Sequence, residues 1–341
     1  MLPSMVPPAS TLFGLLAAAC GEPAAHRLLA VVHVNSRLLE NDSAVVSRAE
    51  LAEALNLLLF DGLLGVVPDA ARYVGEVAAA GARVVFDHGA LRTVLWPSCG
   101  ALPPGEAAFT RLLGPLGFRC TGTYPLTRLR MTGRAYTHAD FPEDIAQYFV
   151  SELHPEAFSP PFQAAVGRVV ASSIDPLAPA DLTRIERLGR DHCLPLAQAV
   201  ELLPRMVRCF GRHHELPVVA DYEILLAESA EMAWISTEGN AFNHATDRVP
   251  DLQALAEALR ARGYPMKDSI EISRSGRVRQ TALRAATVLR SLGGAPPRAV
   301  PGSFYEFISR DSYVDDAGQR RLDLAFDASN ATGIFKMTVA S

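Results

Sequence analysis

One pattern occurs twice in this chain, each time around a histidine. Val85-Phe86-Asp87-His88, with Arg92 four residues on, is matched by Ala241-Phe242-Asn243-His244, with Arg248 four residues on. Each copy runs into a helix-like stretch that ends in glycine and an aromatic residue, Leu116-Gly117-Phe118 and Arg262-Gly263-Tyr264. Strand-like sequence and then an aromatic strand with a glutamate come after it. Glu152 follows His88 by 64 residues and Glu306 follows His244 by 62. A duplicated unit with a histidine near its start and a glutamate near its end is what a metal site shared by two pseudo-symmetric halves would require.

The periodicity fills in the rest. Each copy reads β-α-β-β-β. In the first, strand pattern runs from Arg83 to Val94, an amphipathic helix from Gly105 to Leu116, and two strand-like runs from Phe118 to Tyr136 broken near Thr132-Gly133. A final strand spans Gln147 to His154. In the second, the corresponding pieces are Gly239 to Arg248, Asp251 to Arg262, Asp268 to Ser273, Arg279 to Leu289 and Ser303 to Arg310, with Ser273-Arg274-Ser275-Gly276 as a turn. The expected fold is α+β: two βαβββ modules forming one curved sheet around a metal site, with helical amino-terminal and middle segments. The expected divisions are a helical cap over 1–80, the first module over 81–158, a helical insertion over 159–232, the second module over 233–312 and a tail over 313–341. Pro176, Pro179, Pro195 and Pro204 are expected to cut the insertion into short helices. In the tail, Leu322 to Phe326 is a strand candidate, and Asp327 to Phe335 is a candidate loop over a pocket.

Composition narrows the function classes. The net charge is −5 over 341 residues, and no Lys/Arg-rich run occurs, which argues against a nucleic-acid partner. Five cysteines lie without a CxxC pair, so neither a disulfide framework nor a zinc ribbon is indicated and a reducing cytoplasm is the simplest setting. The apolar run Leu12 to Cys20 is too short to span a bilayer, and no Lys or Arg precedes it, so it reads as a core helix and no membrane partner is expected. Walker loops, dinucleotide fingerprints and nucleophile elbows are absent from the sequence.

His88, His244 and Glu306 are the candidate metal ligands. Two neutral imidazoles and one carboxylate leave open positions on an octahedral ion, which suits non-haem Fe(II) oxygenase chemistry. Zinc or manganese would also bind such a set, so these residues alone do not choose the metal. Glu152 stands at the equivalent place of the first copy and is read as a residue behind the ligands or facing substrate. The adjacent pair His213-His214 has no carboxylate constellation and reads as solvent-facing or capping.

Three phrases carry a family resemblance. Phe86-Asp87-His88-Gly89-Ala90-Leu91-Arg92-Thr93, Glu238-Gly239-Asn240-Ala241-Phe242-Asn243-His244-Ala245-Thr246 and Phe304-Tyr305-Glu306-Phe307-Ile308-Ser309-Arg310 resemble the 2-oxoadipate dioxygenase/decarboxylase (2-hydroxyglutarate synthase) family, and the repeat resembles the vicinal oxygen chelate superfamily. The resemblance implies Fe(II) on His88, His244 and Glu306. It also implies that Arg92, an even step from His88 and so on the same face of the strand, holds a substrate carboxylate in its planar fork. The implied reaction takes a 2-oxo acid and O2 to a 2-hydroxy acid and CO2, with 2-oxoadipate giving 2-hydroxyglutarate. Two alternatives stay open: a non-oxidative metal-dependent isomerase or hydrolase on the same fold, and a non-catalytic small-molecule binding protein. The sequence does not give the oligomeric state.

Overall fold

The central strand Phe86–Val94 is buried along its whole length, as a strand with neighbours on both edges and cover on both faces must be. It is the first of eight strands in one curled sheet. In chain order they are β1 (Phe86–Val94), β2 (Phe118–Leu126), β3 (Met131–His138), β4 (Gln147–Leu153), β5 (Phe242–Arg248), β6 (Glu271–Ile272), β7 (Val278–Ala282) and β8 (Phe304–Arg310). The computed structural model describes residues 10–327. Across the sheet the order is β2-β3-β4-β1-β5-β8-β7-β6, so the second half repeats the first with β1 and β5 side by side at the centre. β1 and β4 are parallel, β5 and β8 are parallel, and β1 meets β5 antiparallel. Each βαβββ copy therefore contributes four strands in the same internal order, and the α+β fold expected from the repeat is present.

The face of the sheet away from the histidines packs on the amino-terminal helices. Side chains at alternate positions of the strands, among them Leu91, Tyr148, Val150, Ala245, Tyr305 and Phe307, join Phe60 and Tyr73 from helices Arg48–Leu64 and Pro68–Ala79 in one apolar core. The first of these helices starts at a capping box, in which the Ser47 hydroxyl accepts from the Glu50 N–H and the Glu50 carboxylate accepts from the Ser47 N–H. A second core joins the ends of β1 and β4, through Val94 and Leu153, to Phe162, Val166, Leu225 and Trp234 of the middle helices. Among the described residues no single helix is long and apolar enough to cross a membrane; only Arg48–Leu64 and Pro68–Ala79, bent by 116°, pass by length and composition together.

Several local expectations move. The break between β2 and β3 falls at Thr127–Leu129 and Arg130, where Arg130 adopts a left-handed φ of 55°, and Thr132-Gly133 lies inside β3. Gly133 is required there by space: a Cβ would stand 2.5 Å from Phe149 Cζ. Pro204 does not cut its helix, which runs unbroken over Leu196–Arg208, because its ring lies on the exposed side where the missing N–H costs least. The run Arg279 to Leu289 divides into β7 and a separate hairpin, Thr287–Arg290 with Arg298–Pro301. The tail strand occurs at Arg320–Leu322, paired with Ser312–Val314, and ends where the expected strand began. Beyond Asp327, the expected loop lies outside the described residues.

Candidate metal centre

The Phe-Asp-His of β1 and the Phe-Asn-His of β5 come together because these two strands are neighbours. Register places Ala90 opposite His244 and His88 opposite Thr246, so both imidazoles enter from one face. β8 runs beside β5 with Phe304 opposite His244 and Glu306 opposite Thr246, which brings the carboxylate to the same face. His88, His244 and Glu306 are all buried, and one ligand atom from each lies within 4.8 Å of the others. Glu306 Oε2 is 3.0 Å from His244 Nε2, 3.4 Å from His88 Nε2 and accepts a 2.9 Å hydrogen bond from the Thr246 hydroxyl. The other oxygen, Glu306 Oε1, is buried without a hydrogen-bond partner.

A buried carboxylate with one orphaned oxygen, its other oxygen set between two Nε2 atoms, fits a cation. The back sides of the rings are fixed as metal-binding histidines require. Asp87 Oδ1 is 2.8 Å from His88 Nδ1, and Asn243 Oδ1 is 3.3 Å from His244 Nδ1, so each ring can donate Nδ1–H outward and aim the Nε2 lone pair inward. A bulge makes the first contact possible. The pairing of β1 with β5 slips between Phe86 and His88, so Asp87 is the extra residue and turns toward the same side as its neighbour.

The charges follow from this packing. Burial alone would raise the Glu306 carboxyl, yet His244 and His88 hold it well below the usual range. Burial likewise disfavours ionised Asp87, and Arg310 and His88 reverse that and keep it ionised. His88 is pulled down by burial and pushed above its ordinary value by Asp87 and Glu306, whereas burial prevails at His244, which is lowered.

Arg92 projects from β1 on the same face, four pairs along from His88: His88 stands opposite Gln147 of β4 and Arg92 opposite Ser151. Its guanidinium is buried, lies 5.2 Å over the Trp234 ring and contributes to lowering His244. Burial pushes its own pKa down to about 10 against the opposing charge of Glu231.

Glu152 is not brought to this centre. In the second copy His244 pairs with Phe304, and the ligand is two residues further on. In the first copy His88 pairs with Gln147, so the position equivalent to Glu306 is Phe149. Glu152 lies three residues beyond Phe149, an odd step that turns it to the opposite face. There it accepts from the Glu106 N–H at 2.8 Å and from Arg134 at 3.2 Å. His213 and His214 also stay away, with ring nitrogens 3.2 Å from Cys209 O and 3.0 Å from Ser236 O.

Five contributors escaped the sequence reading: Asp87 and Asn243 as the partners of His88 and His244, Thr246, Arg310 and Phe326. Arg310 of β8 grips Asp87 with Nε and Nη2 at 2.9–3.1 Å. Phe326 stands edge-on to the His88 ring at 4.9 Å and against Phe149 at 4.8 Å. The Asp or Asn directly before each repeated histidine was the available signal for the first two.

Comparison with known proteins gives consistent results. A family model described as 2-oxoadipate dioxygenase/decarboxylase matches residues 70–336. A chloroplastic/amyloplastic 2-oxoadipate dioxygenase/decarboxylase of Oryza sativa subsp. japonica is 21% identical over 283 residues, 76% of this chain and 70% of that protein. A solved structure from Ralstonia eutropha JMP134, assigned to the glyoxalase superfamily, superposes with a TM-score of 0.87 at 54% identity, covering 93% of this chain and 98% of that one. The hydroxyglutarate synthase of Oryza sativa, solved with 2-oxoadipate, superposes with a TM-score of 0.67 at 17% identity, covering 86% of this chain and 93% of that one, a likeness of fold.

Proposed function

Because this chain belongs to the 2-oxoadipate dioxygenase/decarboxylase family, we propose that it is an Fe(II)-dependent dioxygenase that converts a 2-oxo acid and O2 into CO2 and a 2-hydroxy acid one carbon shorter. 2-Oxoadipate is the first substrate to try, and 2-hydroxyglutarate is its product. The observation that carries the reading is the buried trio His88, His244 and Glu306, with both Nε2 atoms turned to a carboxylate whose Oε1 has no hydrogen-bond partner.

His88 Nε2, His244 Nε2 and Glu306 would hold the ion, and Asp87 and Asn243 would fix the two rings. Bound Fe(II) would supply the redox chemistry with O2 and open positions for the keto oxygen and carboxylate of the substrate. Thr246 steadies Glu306 by donating to Oε2. Arg92, on the same face and buried beside Trp234, would take a substrate carboxylate, because a desolvated guanidinium binds an anion more strongly than an exposed one. Phe149 stands at the first copy's counterpart of Glu306, so β4 would offer no fourth ligand and that side of the site would stay open. Phe149 and Phe326 line it with apolar surface, which suits the methylene chain of an oxo acid and excludes water.

The test is O2 consumption by anaerobically purified, Fe(II)-loaded protein over a panel of 2-oxo acids led by 2-oxoadipate, with CO2 and product mass measured. Uptake matched by CO2 and a hydroxy acid, and lost in His88→Ala and Glu306→Ala, is the expected result. Turnover by either variant at the parental rate would sink the reading. Metal-dependent turnover without O2 would favour the isomerase or hydrolase alternative, and ligand binding indifferent to His88→Ala would favour the binding protein.

A further inference from the structure

The segment that follows β8 returns across the mouth of the sheet and is fastened at both sides of it. Leu322 N–H donates to Glu143 Oε1 at 3.1 Å, Gln147 Nε2 lies 3.5 Å from Leu324 O, and Phe326 N–H donates to the Tyr124 hydroxyl at 3.1 Å. Glu143, Gln147 and Tyr124 belong to the first copy. On the second-copy side, Arg277 binds Asp323 at 2.7 Å, and Arg310 donates from Nη1 to the carbonyls of Asp323 and Ala325, each at 2.9 Å. The strap carries Phe326 to the His88 ring.

Arg310 is the meeting point. Its side chain is fully buried, Nε and Nη2 hold the Asp87 carboxylate that orients His88, and Nη1 holds the strap. A guanidinium is planar and rigid, so the three nitrogens move as one body. If the strap lifts, the guanidinium loses two acceptors and is held through Asp87 alone, so the fork that sets the Asp87 carboxylate against His88 Nδ1 is no longer fixed from behind. Arg248 reaches Asp87 only at 3.8 Å and cannot substitute for that fork. We infer that Arg310 is a positioning residue that couples closure of the 323–326 strap over the centre to the metal-binding orientation of His88.

This inference rests on the metal-centre reading, so its test reads ion affinity and backbone protection apart from turnover. Because binding coupling is reciprocal, a strap that favours the ion must itself be favoured by the ion. The first measurement is Fe(II) affinity under anaerobic competition with a chromogenic chelator, for the parent, Arg310→Lys, a chain ending at Leu322, and the two changes combined. Loss of an outer partner of a metal-bound histidine commonly costs about 10–100-fold in affinity. Each single change is expected to weaken Fe(II) binding by at least about tenfold, and the combination is expected to be no weaker than the worse single variant. Parental affinity in the shortened chain would overturn the coupling and leave Arg310 serving Asp87 alone.

The second measurement is hydrogen exchange at the 323–326 amides. Fe(II) is expected to slow it in the parent and to leave it unchanged in Arg310→Lys. Equal slowing in both would also overturn the inference, and this arm decides the matter if the shortened chain fails to fold. Fe(II) binding without O2 uptake would overturn the functional reading alone, whereas a parent that binds no Fe(II) would overturn both.

Discussion

Gly89 stands next to a candidate ligand and faces the other way, so Gly89→Ala probes the centre without touching it. A Cβ there would lie 2.3 Å from Phe242 Cζ and 2.6 and 2.7 Å from Cε1 and Cε2. Ordinary carbon contacts begin near about 3.5 Å, so the ring or its strand has to move by about 1 Å. The ring has little room: Phe86, Tyr148 and Phe210 surround it with centroids at 6.2, 6.0 and 6.3 Å. The displacement therefore passes to β5, which carries His244 two residues from Phe242. Overpacking of this kind costs about 1–3 kcal/mol, which lowers the melting midpoint by several degrees at roughly 2–4 °C per kcal/mol. Metal–ligand distances tolerate only about 0.2 Å, so Fe(II) affinity should fall by at least about tenfold, equivalent to about 1.4 kcal/mol. The assay is calorimetric melting together with anaerobic Fe(II) titration of Gly89→Ala, Phe242→Leu and the pair. Phe242→Leu shortens the obstructing side chain, so the double variant should recover part of both losses, a coupling expected only for residues in contact. Parental melting and affinity in Gly89→Ala, or strictly additive losses in the pair, would refute the packing argument.

Three further outcomes are expected. Thr246→Val keeps the shape but removes the hydroxyl that donates to Glu306 Oε2, so Fe(II) affinity should drop about 10-fold or more, with a near-parental melting midpoint, checked by the same titration. Arg92→Lys keeps the charge and loses the fork, so KM for 2-oxoadipate in the O2-uptake assay should rise at least about tenfold, and an unchanged KM would remove Arg92 from substrate recognition. His138 is a buried neutral imidazole: Nδ1 accepts from the Asp140 and Phe141 N–H groups, Nε2 lies 2.9 Å from Leu116 O, and burial pushes it down from 6.5 to about 4. The unfolded chain takes up this proton first, so stability is full above pH 6.5 and is lost as pH falls toward 4, by about 2 kcal/mol at pH 5 from this residue. Melting at pH 7.5 and pH 5 should show a smaller acid loss in His138→Gln than in the parent, and parallel losses would exclude His138.

The duplicated phrase made much of the centre legible, because the local pattern that builds a strand is itself repeated. Phe-Asp-His and Phe-Asn-His mark equivalent strands, and the even step from His88 to Arg92 sets both on one face, as the unbroken pairing of that stretch with β4 bears out. Glu306 was legible for the same reason, as a polar residue in an aromatic run that ends the second copy. The repeat misled at Glu152. Two copies can agree in length to within a few residues, but a strand has a period of two, and an offset of three turns the side chain to the other face.

What the sequence determined by itself was the fold class, two matching modules and the three candidate ligands, all consequences of periodicity read over short windows. The tertiary structure decided everything that depends on register between distant strands. It put Phe149, not Glu152, at the first copy's counterpart of Glu306 and made Gly89 and Gly133 sites of close approach to aromatic rings. It also joined Asp87 to Arg310, 223 residues away, and carried Phe326 back onto His88. Such contacts are fixed by ladder hydrogen bonds and by available volume, and neither quantity is written in the spacing of residues along a single strand.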